Sequence, residues 1–381
     1  MAAISATNGW GVGGEGGCRL PPSPTLEGVG GAGVGGAGTR DVIDWPLAVS
    51  TGVRLAPSGP TATPAEAAEI VADIRSAAHR AIEPVREVTG LVAADDTHRA
   101  VVVARPEWVR ANVEQMRVAV EPLSQLLREK KPSALVRETG ARTSALQMGA
   151  VLALLSTKVL GQYEAFGEDA RSPGRLLLVA PNIVHAERQL DVPASDFRLW
   201  VCLHEETHRV QFSAVPWLSP YFTEQVHTYL RATDTDTWTT LRRLAGEVRT
   251  RGESGLGMID LLQTPEQRAI LERLTALMSL LEGHADVVMD EVGPQVVPSV
   301  AMIRERFDRR RTQHGFVDGL IGRVLGLEAK LRQYTQGSAF VRGVVAKVGM
   351  SGFNEVWTSP AALPSPAEID DPPSWVRRVL G

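Results

Sequence analysis

The chain has little of what marks several specialised classes of protein. It contains two cysteines in 381 residues, so a disulfide framework is not expected, and this cysteine usage is typical of a reducing compartment. Its 40 basic and 44 acidic residues give a net charge of only −4. A charge this small gives no general reason to expect nucleic acid or an anionic membrane surface as a partner.

Long apolar segments are also missing. The longest apolar run, near Met148–Leu155, is far shorter than the ~18 residues that a membrane-spanning helix needs. The first residues have neither the basic nor the apolar part of a secretory signal. We therefore predict a cytoplasmic protein with no membrane partner. The hydrophobic content of 44% is enough for a large core, which at this length is divided into two or three lobes.

Residues 1–40 form a glycine-rich segment that has little to pack, and we predict that it is disordered. Its glycines at positions 28, 30 and 33 match a G-x-G-x-x-G pattern, but neither a predicted strand nor a helix adjoins them, so a nucleotide site is not expected. The rest is predicted to form an N-terminal lobe over residues 41–215 and a C-terminal helical lobe over residues 216–381.

The most informative segment is an H-E-x-x-H motif inside an apolar helical stripe. His204 and His208 are four residues apart and so lie one above the other on a helix, where both imidazoles can reach one zinc ion. Glu205 between them can hold a water molecule that the metal has acidified. Because burying two imidazoles and a carboxylate is costly without a partner, the pattern predicts a metal site.

A catalytic zinc site takes three protein ligands and leaves a position for water. The best third ligand in the sequence is Glu282, on a second predicted helix. Asp286 lies one turn later on the same face, where it can accept a hydrogen bond from the free ring N–H of His204 or His208. His284 is the alternative ligand; it lies about 200° round the helix from Glu282, so the two cannot both point at the ion without distortion.

An H-E-x-x-H motif followed on a later helix by E-x-x-x-D resembles the gluzincin branch of the zincin metallopeptidases. Over nearly all of the chain after residue 40, the sequence more specifically resembles the bacterial zincin-like metallopeptidase type 2 family. The resemblance implies His204, His208 and Glu282 as zinc ligands, Glu205 as general base, and Asp286 as a residue that supports a ligand. The gap between His208 and Glu282 is far longer than in thermolysin.

The expected fold is mainly α-helical with a small β-sheet, in which two helical lobes surround the H-E-x-x-H helix. The apolar run Leu176, Leu177, Leu178 and Val179 is bounded by turn residues and predicts a strand. In zincins an edge strand beside the motif helix pairs with the substrate backbone, and this run is the candidate. Residues 143–160 are apolar on almost all sides, which predicts a central buried helix.

The predicted reaction is hydrolysis of an amide bond in a peptide or protein substrate, with a zinc-activated water and Glu205 as general base. A second proton donor is usual in such a site, and Tyr334 is the candidate, with Tyr221, Tyr229 and His227 as alternatives. The competing hypothesis is a catalytically inactive zincin-like scaffold that binds a partner protein. The sequence leaves the substrate and the oligomeric state open.

Overall fold

The structure is a computed structural model that describes residues 41–93, 100–129, 133–165, 174–232, 264–313 and 327–381. The side chains of residue 134 and of residues 310–313 and 327–335 are outside this description. The predictions for residues 1–40, including the glycines at 28, 30 and 33, also fall outside the described residues. None of the described helices is long and apolar enough to cross a membrane.

The described chain is mainly helical, as predicted, with one small sheet. Its α-helices are α1 (Trp45–Leu55), α2 (Pro64–Thr89), α3 (Arg105–Ala119), α4 (Glu121–Glu129), α5 (Ala134–Leu155), α6 (Ala180–Leu190), α7 (Ala194–Ala214), α8 (Leu218–Arg231), α9 (Pro265–Val296), α10 (Val300–Gln313), α11 (Leu327–Phe353), α12 (Pro366–Asp370) and α13 (Pro372–Leu380). Two 3₁₀ turns, Asn354–Trp357 and Pro360–Ala362, precede α12. The strands are β1 (Val101–Val103), β2 (Gly161–Tyr163) and β3 (Leu176–Val179).

The start of α9 follows from local sequence. Thr264 accepts a hydrogen bond from the backbone N–H of Gln267, whose side chain accepts one from the N–H of Thr264, and Pro265 occupies the first helical position. This reciprocal cap satisfies N–H groups that have no partner inside a helix, and proline lacks the N–H that would be unsatisfied there. Thr63 and Glu66 cap α2 in the same way. These caps fix where the two long helices begin.

The strand predicted at Leu176–Val179 is present, but its predicted position at the edge of the sheet is wrong. The strand order is β1-β3-β2, so β3 lies in the middle, parallel to β1 and antiparallel to β2. Its side chains are buried on both faces: Leu178 packs with α2 and α7, while Leu177 and Val179 pack with α1, α3 and α5. A continuous apolar run is what a strand covered on both faces requires.

The motif helix α7 lies at the centre of the larger core. It packs against α2 and α9, and α9 in turn packs against α11. Glycines allow the crossing of α9 and α11: a Cβ atom on Gly283 would overlap the backbone of Gly337, and one on Gly337 would overlap the carbonyl of Ser279. Because Gly283 follows Glu282, this close crossing also fixes the backbone beside the predicted third ligand.

Helix α5 is not the central buried helix that its composition predicts. One face packs against α1, where Gly149 lies close to the carbonyl of Ala48, and Ala145 and Leu152 are buried. The other face is exposed, and it carries Leu135, Val136, Leu146, Val151 and Leu154. A sequence that is apolar all round does not distinguish a helix buried on every side from a helix that packs on one side only.

Candidate metal centre

Buried apolar residues of α7 hold the H-E-x-x-H motif in a fixed position. Phe197 and Leu203 are fully buried on either side of the turn that leads into the motif, so the helix cannot easily rotate. The side chains of His204 and His208 remain 24% and 14% exposed. The two imidazoles therefore face a partly open space, whereas the flanking apolar residues hold the helix in the core.

Helix α9 brings Glu282 to the same place. The Nε2 atoms of His204 and His208 lie 3.1 Å apart. The Glu282 carboxylate lies 3.5 Å from Nε2 of His204 through Oε2, and 3.6 Å from Nε2 of His208 through Oε1. Donor atoms of these three residues all lie within 4.8 Å of one another, although Glu282 comes 74 residues after His208 in the sequence.

These distances fit a single zinc ion. Zinc binds imidazole nitrogen and carboxylate oxygen at about 2.0–2.2 Å, so two ligands at a tetrahedral angle should lie roughly 3.4 Å apart. The observed separations of 3.1, 3.5 and 3.6 Å bracket that value. Two histidines and one glutamate also form a known donor set of catalytic zinc, with the fourth position open to water.

The electrostatics of the three residues are those of a cation site. Burial opposes charge on Glu282, but His208 and His204 outweigh it and hold the pKa of this carboxyl well below its usual range. Burial likewise opposes charge on His208, yet the Glu282 carboxylate raises the pKa of His208 to about 9. Glu282 thus stays ionised and ready to bind a cation, and His208 carries a positive charge when no metal replaces it.

Glu205 lies on α7 between the two histidines in sequence and is 6% exposed. Burial raises the pKa of its carboxyl, and the nearby His204 and His208 partly oppose that rise. Its carboxyl group packs against the backbone of β2: a Cβ atom on Gly161 would lie 2.5 Å from Cδ of Glu205. A carboxylate with a raised pKa, held against a strand beside a metal site, is suited to accept and return a proton.

The ring nitrogens that face away from the site have partners that the sequence analysis missed. Nδ1 of His208 lies 3.0 Å from Oε1 of Gln211, and Nδ1 of His204 lies 3.2 Å from the sulfur of Met289. The predicted role of Asp286, as acceptor of the free N–H of one of these rings, stays a prediction. The backbone carbonyl of Asp286 accepts a hydrogen bond from Arg304.

The alternative ligand His284 does not join the three donors. It is fully buried beside Phe353 and Trp357, and its Nδ1 lies 3.0 Å from Nε2 of Gln211. Burial lowers the pKa of His284 to about 3, so the ring is neutral. A fourth protein ligand would have closed the site to water, and His284 is not placed to supply it.

Two of the predicted second proton donors, Tyr221 and His227, make contacts with residues other than the metal ligands. The Tyr221 ring packs edge-on against Trp217, and Nε2 of His227 lies 3.4 Å from the carbonyl of Val118. Tyr229 lies on α8. Tyr334 lies on α11, but its side chain is outside the described residues, so its role stays a prediction.

Gly161, Gln211 and Met289 are neighbours of the site that sequence reasoning missed. Gln211 had a detectable signal, because it lies three residues after His208 and so on nearly the same face of an otherwise apolar helix. Gly161 had none, since it belongs to a three-residue strand that is too short to show alternation, and its contact with Glu205 depends on the arrangement of the sheet.

The fold is mainly helical with a small sheet, and three of the described residues form a group that could hold a metal ion. A family model described as zincin-like metallopeptidase matches residues 43–376, and the chain belongs to this family. A crystal structure from Chloroflexus aurantiacus, described as a proposed hydrolase with a novel fold, is 30% identical to the chain and has a TM-score of 0.65. That match covers 88% of this chain and 98% of the other. No curated protein matches.

Proposed function

We propose that the protein is a zinc-dependent metallopeptidase that hydrolyses amide bonds. The observation that carries the proposal is the convergence of His204, His208 and Glu282 at zinc-ligand spacing, with Glu205 on the same helix as the two histidines. A purely structural metal site needs its ligands but no carboxylate base beside them. Family membership and the similarity to a proposed hydrolase support the same conclusion.

The proposed reaction gives the three metal ligands and Glu205 separate roles. His204, His208 and Glu282 hold the metal, which when bound acidifies a water molecule and polarises the substrate carbonyl. Glu205 takes the proton from that water and returns it to the leaving amine. Burial of Glu205 supports this role, because a raised pKa brings a carboxyl closer to the pH at which it must both accept and donate.

Because β3 lies in the middle of the sheet, the strand proposed to pair with the substrate is β2 instead. Among the described strands β2 lies at an edge of the sheet, and it contacts α7. A peptide in extended form can pair with the backbone of such an edge, which would place its carbonyl groups beside Glu205, since Gly161 of β2 packs against that carboxylate. The proposed substrate is accordingly a peptide or protein segment that binds in an extended conformation.

The proposal is tested by measuring zinc content and activity on a peptide library for wild type, His204→Ala, Glu282→Ala and Glu205→Gln. Removing either ligand should abolish both zinc binding and activity. Glu205→Gln should keep zinc and lose activity by at least about 10²-fold, the smallest contribution usual for general acid–base catalysis. Glu224→Gln, an exposed change on α8, is the control and should alter neither.

Two results would reject the mechanism. Full activity in Glu205→Gln would remove the general base, and wild type that binds no zinc would remove the metal. Wild type that binds zinc but cleaves no member of the library would instead favour the competing hypothesis of an inactive scaffold that binds a partner protein.

A further inference from the structure

Gln211 makes three contacts that connect the motif helix to α9. Its side chain is completely buried. The amide oxygen lies 3.0 Å from Nδ1 of His208, and the amide nitrogen lies 3.0 Å from the backbone carbonyl of Leu281 and 3.0 Å from Nδ1 of His284. The amide oxygen is therefore directed at the metal ligand His208, and the amide nitrogen at Leu281 and His284 on α9.

The carbonyl of Leu281 determines which way the amide points. A backbone carbonyl can only accept a hydrogen bond, so the NH₂ group of Gln211 must face it. Turning the amide over would place two oxygen atoms about 3 Å apart in a buried position, where their repulsion is costly. The amide oxygen of Gln211 must then face His208.

This orientation decides the tautomer of His208. An amide oxygen can only accept, so Nδ1 of His208 must carry the proton, and in the neutral ring the lone pair is left on Nε2. Nε2 of His208 lies 3.1 Å from Nε2 of His204 and 3.6 Å from Oε1 of Glu282. When zinc displaces the proton on Nε2, Nδ1 keeps its proton, so the ring binds the metal through Nε2.

His284 completes the arrangement. Since the NH₂ group of Gln211 donates to its Nδ1, the proton of the neutral His284 ring must be on Nε2. Among the described residues Nε2 of His284 has no hydrogen-bond partner, and the ring lies against Phe353 and Trp357. His284 therefore serves as an acceptor that occupies the second N–H of Gln211, and its burial excludes water that could compete for the amide.

We propose that Gln211 is a positioning residue that holds His208 in the Nδ1–H tautomer. The backbone carbonyl of Leu281 fixes the orientation of the Gln211 amide, so this side chain also fixes the position of His208 on α7 relative to α9, which carries Glu282. The proposal rests on the proposed zinc site. It accounts for a polar side chain at a fully buried position of α7. In this arrangement His284 accepts a hydrogen bond from Gln211 and does not bind the metal.

The test compares zinc affinity and imidazole NMR spectra of wild type, Gln211→Met and Gln267→Met. Methionine has nearly the length of glutamine but no amide. We expect Gln211→Met to bind zinc about 10- to 100-fold more weakly, the usual effect of removing a partner of a metal ligand. Gln267 is a buried glutamine at the cap of α9, so Gln267→Met should lower stability and leave zinc affinity unchanged.

The NMR measurement tests the tautomer of His208 directly. In ¹⁵N-labelled, zinc-loaded wild type, His208 should show a protonated Nδ1 whose proton exchanges slowly with solvent, and this signal should be absent from Gln211→Met. Equal zinc affinity in wild type and Gln211→Met, or a His208 bound through Nδ1, would overturn the proposal. Wild type without zinc affinity would instead reject the proposed function.

Discussion

At the scale of single residues, the position of Glu205 depends on the glycine at position 161, which has no side chain. Glu205 can act as a base only if its carboxylate is held beside the metal, and the flat backbone of Gly161 is the surface against which it rests. The end of a glutamate side chain is flexible, so it can move away from a new methyl group at little energetic cost. A change at Gly161 should therefore affect catalysis much more than folding.

We predict that Gly161→Ala reduces kcat by about 10²-fold, the usual result of displacing a catalytic group by about 1 Å, while zinc content stays at the wild-type level. The matched control is Gly140→Ala on α5, where a Cβ atom meets nothing within 4 Å. It should leave kcat unchanged and stabilise the helix by about 0.5–1 kcal/mol. Loss of zinc from Gly161→Ala would show that the glycine supports the ligands and not the base.

The charges of the ligands predict a pH dependence for the metal-free protein. Glu282 raises the folded pKa of His208 to about 9 from an ordinary value of 6.5. The stabilisation from protonated His208 is therefore fully present below pH 6.5 and is lost as the pH rises through about 9. The pKa of Glu282 is lowered, so its contribution is present above its ordinary value of 4.5 and is lost as the pH falls further.

The measurement is denaturant unfolding of wild type and Glu282→Gln, both with chelator, between pH 5 and 9.5. The difference in unfolding free energy should be largest near pH 5–6.5 and should decline toward pH 9.5, as the linkage argument requires. A difference that grows with pH over this interval would contradict the assigned charges.

At the scale of helices and strands, the sequence predicts best where short-range chemistry decides. The cap of α9 at Thr264 and Gln267 and the strand at Leu176–Val179 lie where local patterns place them, because capping and apolar runs are set by neighbouring residues. The middle position of β3 could not be predicted, since β1 and β2 have only three residues each. The position of Gln211 three residues after His208 was a detectable signal, but its partners Leu281 and His284 could not be predicted, because they belong to a helix about 70 residues further along the chain.

The crossing of α9 and α11 gives a prediction at this scale. A Cβ atom on Gly337 would overlap the carbonyl of Ser279, and backbone cannot move aside as a flexible side chain can. Gly337→Ala should therefore cost about 1–3 kcal/mol or more of unfolding free energy, the usual cost of overpacking. It should also weaken zinc binding, because Glu282 lies one turn from Ser279. Gln336→Ala, an exposed neighbour on α11, is the control and should change neither quantity.

Helix α5, which is exposed on one face, gives a second prediction at the scale of helices and strands. Leu152 is 5% exposed and Leu154 is 43% exposed, although they are two residues apart in the same apolar run. Leu152→Ala should cost about 2–5 kcal/mol of unfolding free energy, whereas Leu154→Ala should stay within about 0.5 kcal/mol. Thermal or denaturant unfolding of the two variants measures this. Equal costs would mean that α5 is buried on both faces, as its composition alone predicts.

At the scale of the whole molecule, the candidate metal centre joins distant parts of the chain. The division into residues 41–215 and 216–381 stays a prediction, but α7 of the first part and α9 of the second pack together and carry the ligands between them. A cation held by both helices would link these segments. It would do so where the polar side chains of the site interrupt an otherwise apolar contact between the helices.

Zinc should therefore stabilise the whole fold and not only complete the site. A ligand that binds only the folded state adds about 4 kcal/mol when its free concentration is 1,000 times Kd, so the unfolding temperature should rise with zinc and fall again with chelator. His204→Ala and Glu282→Ala remove ligands from α7 and α9 respectively, and each should abolish most of the rise. If the unfolding temperature of Glu282→Ala rose with zinc as much as that of wild type, the metal would be acting without the second helix. The link between the two segments would then have to come from the apolar packing of α7 on α9 alone.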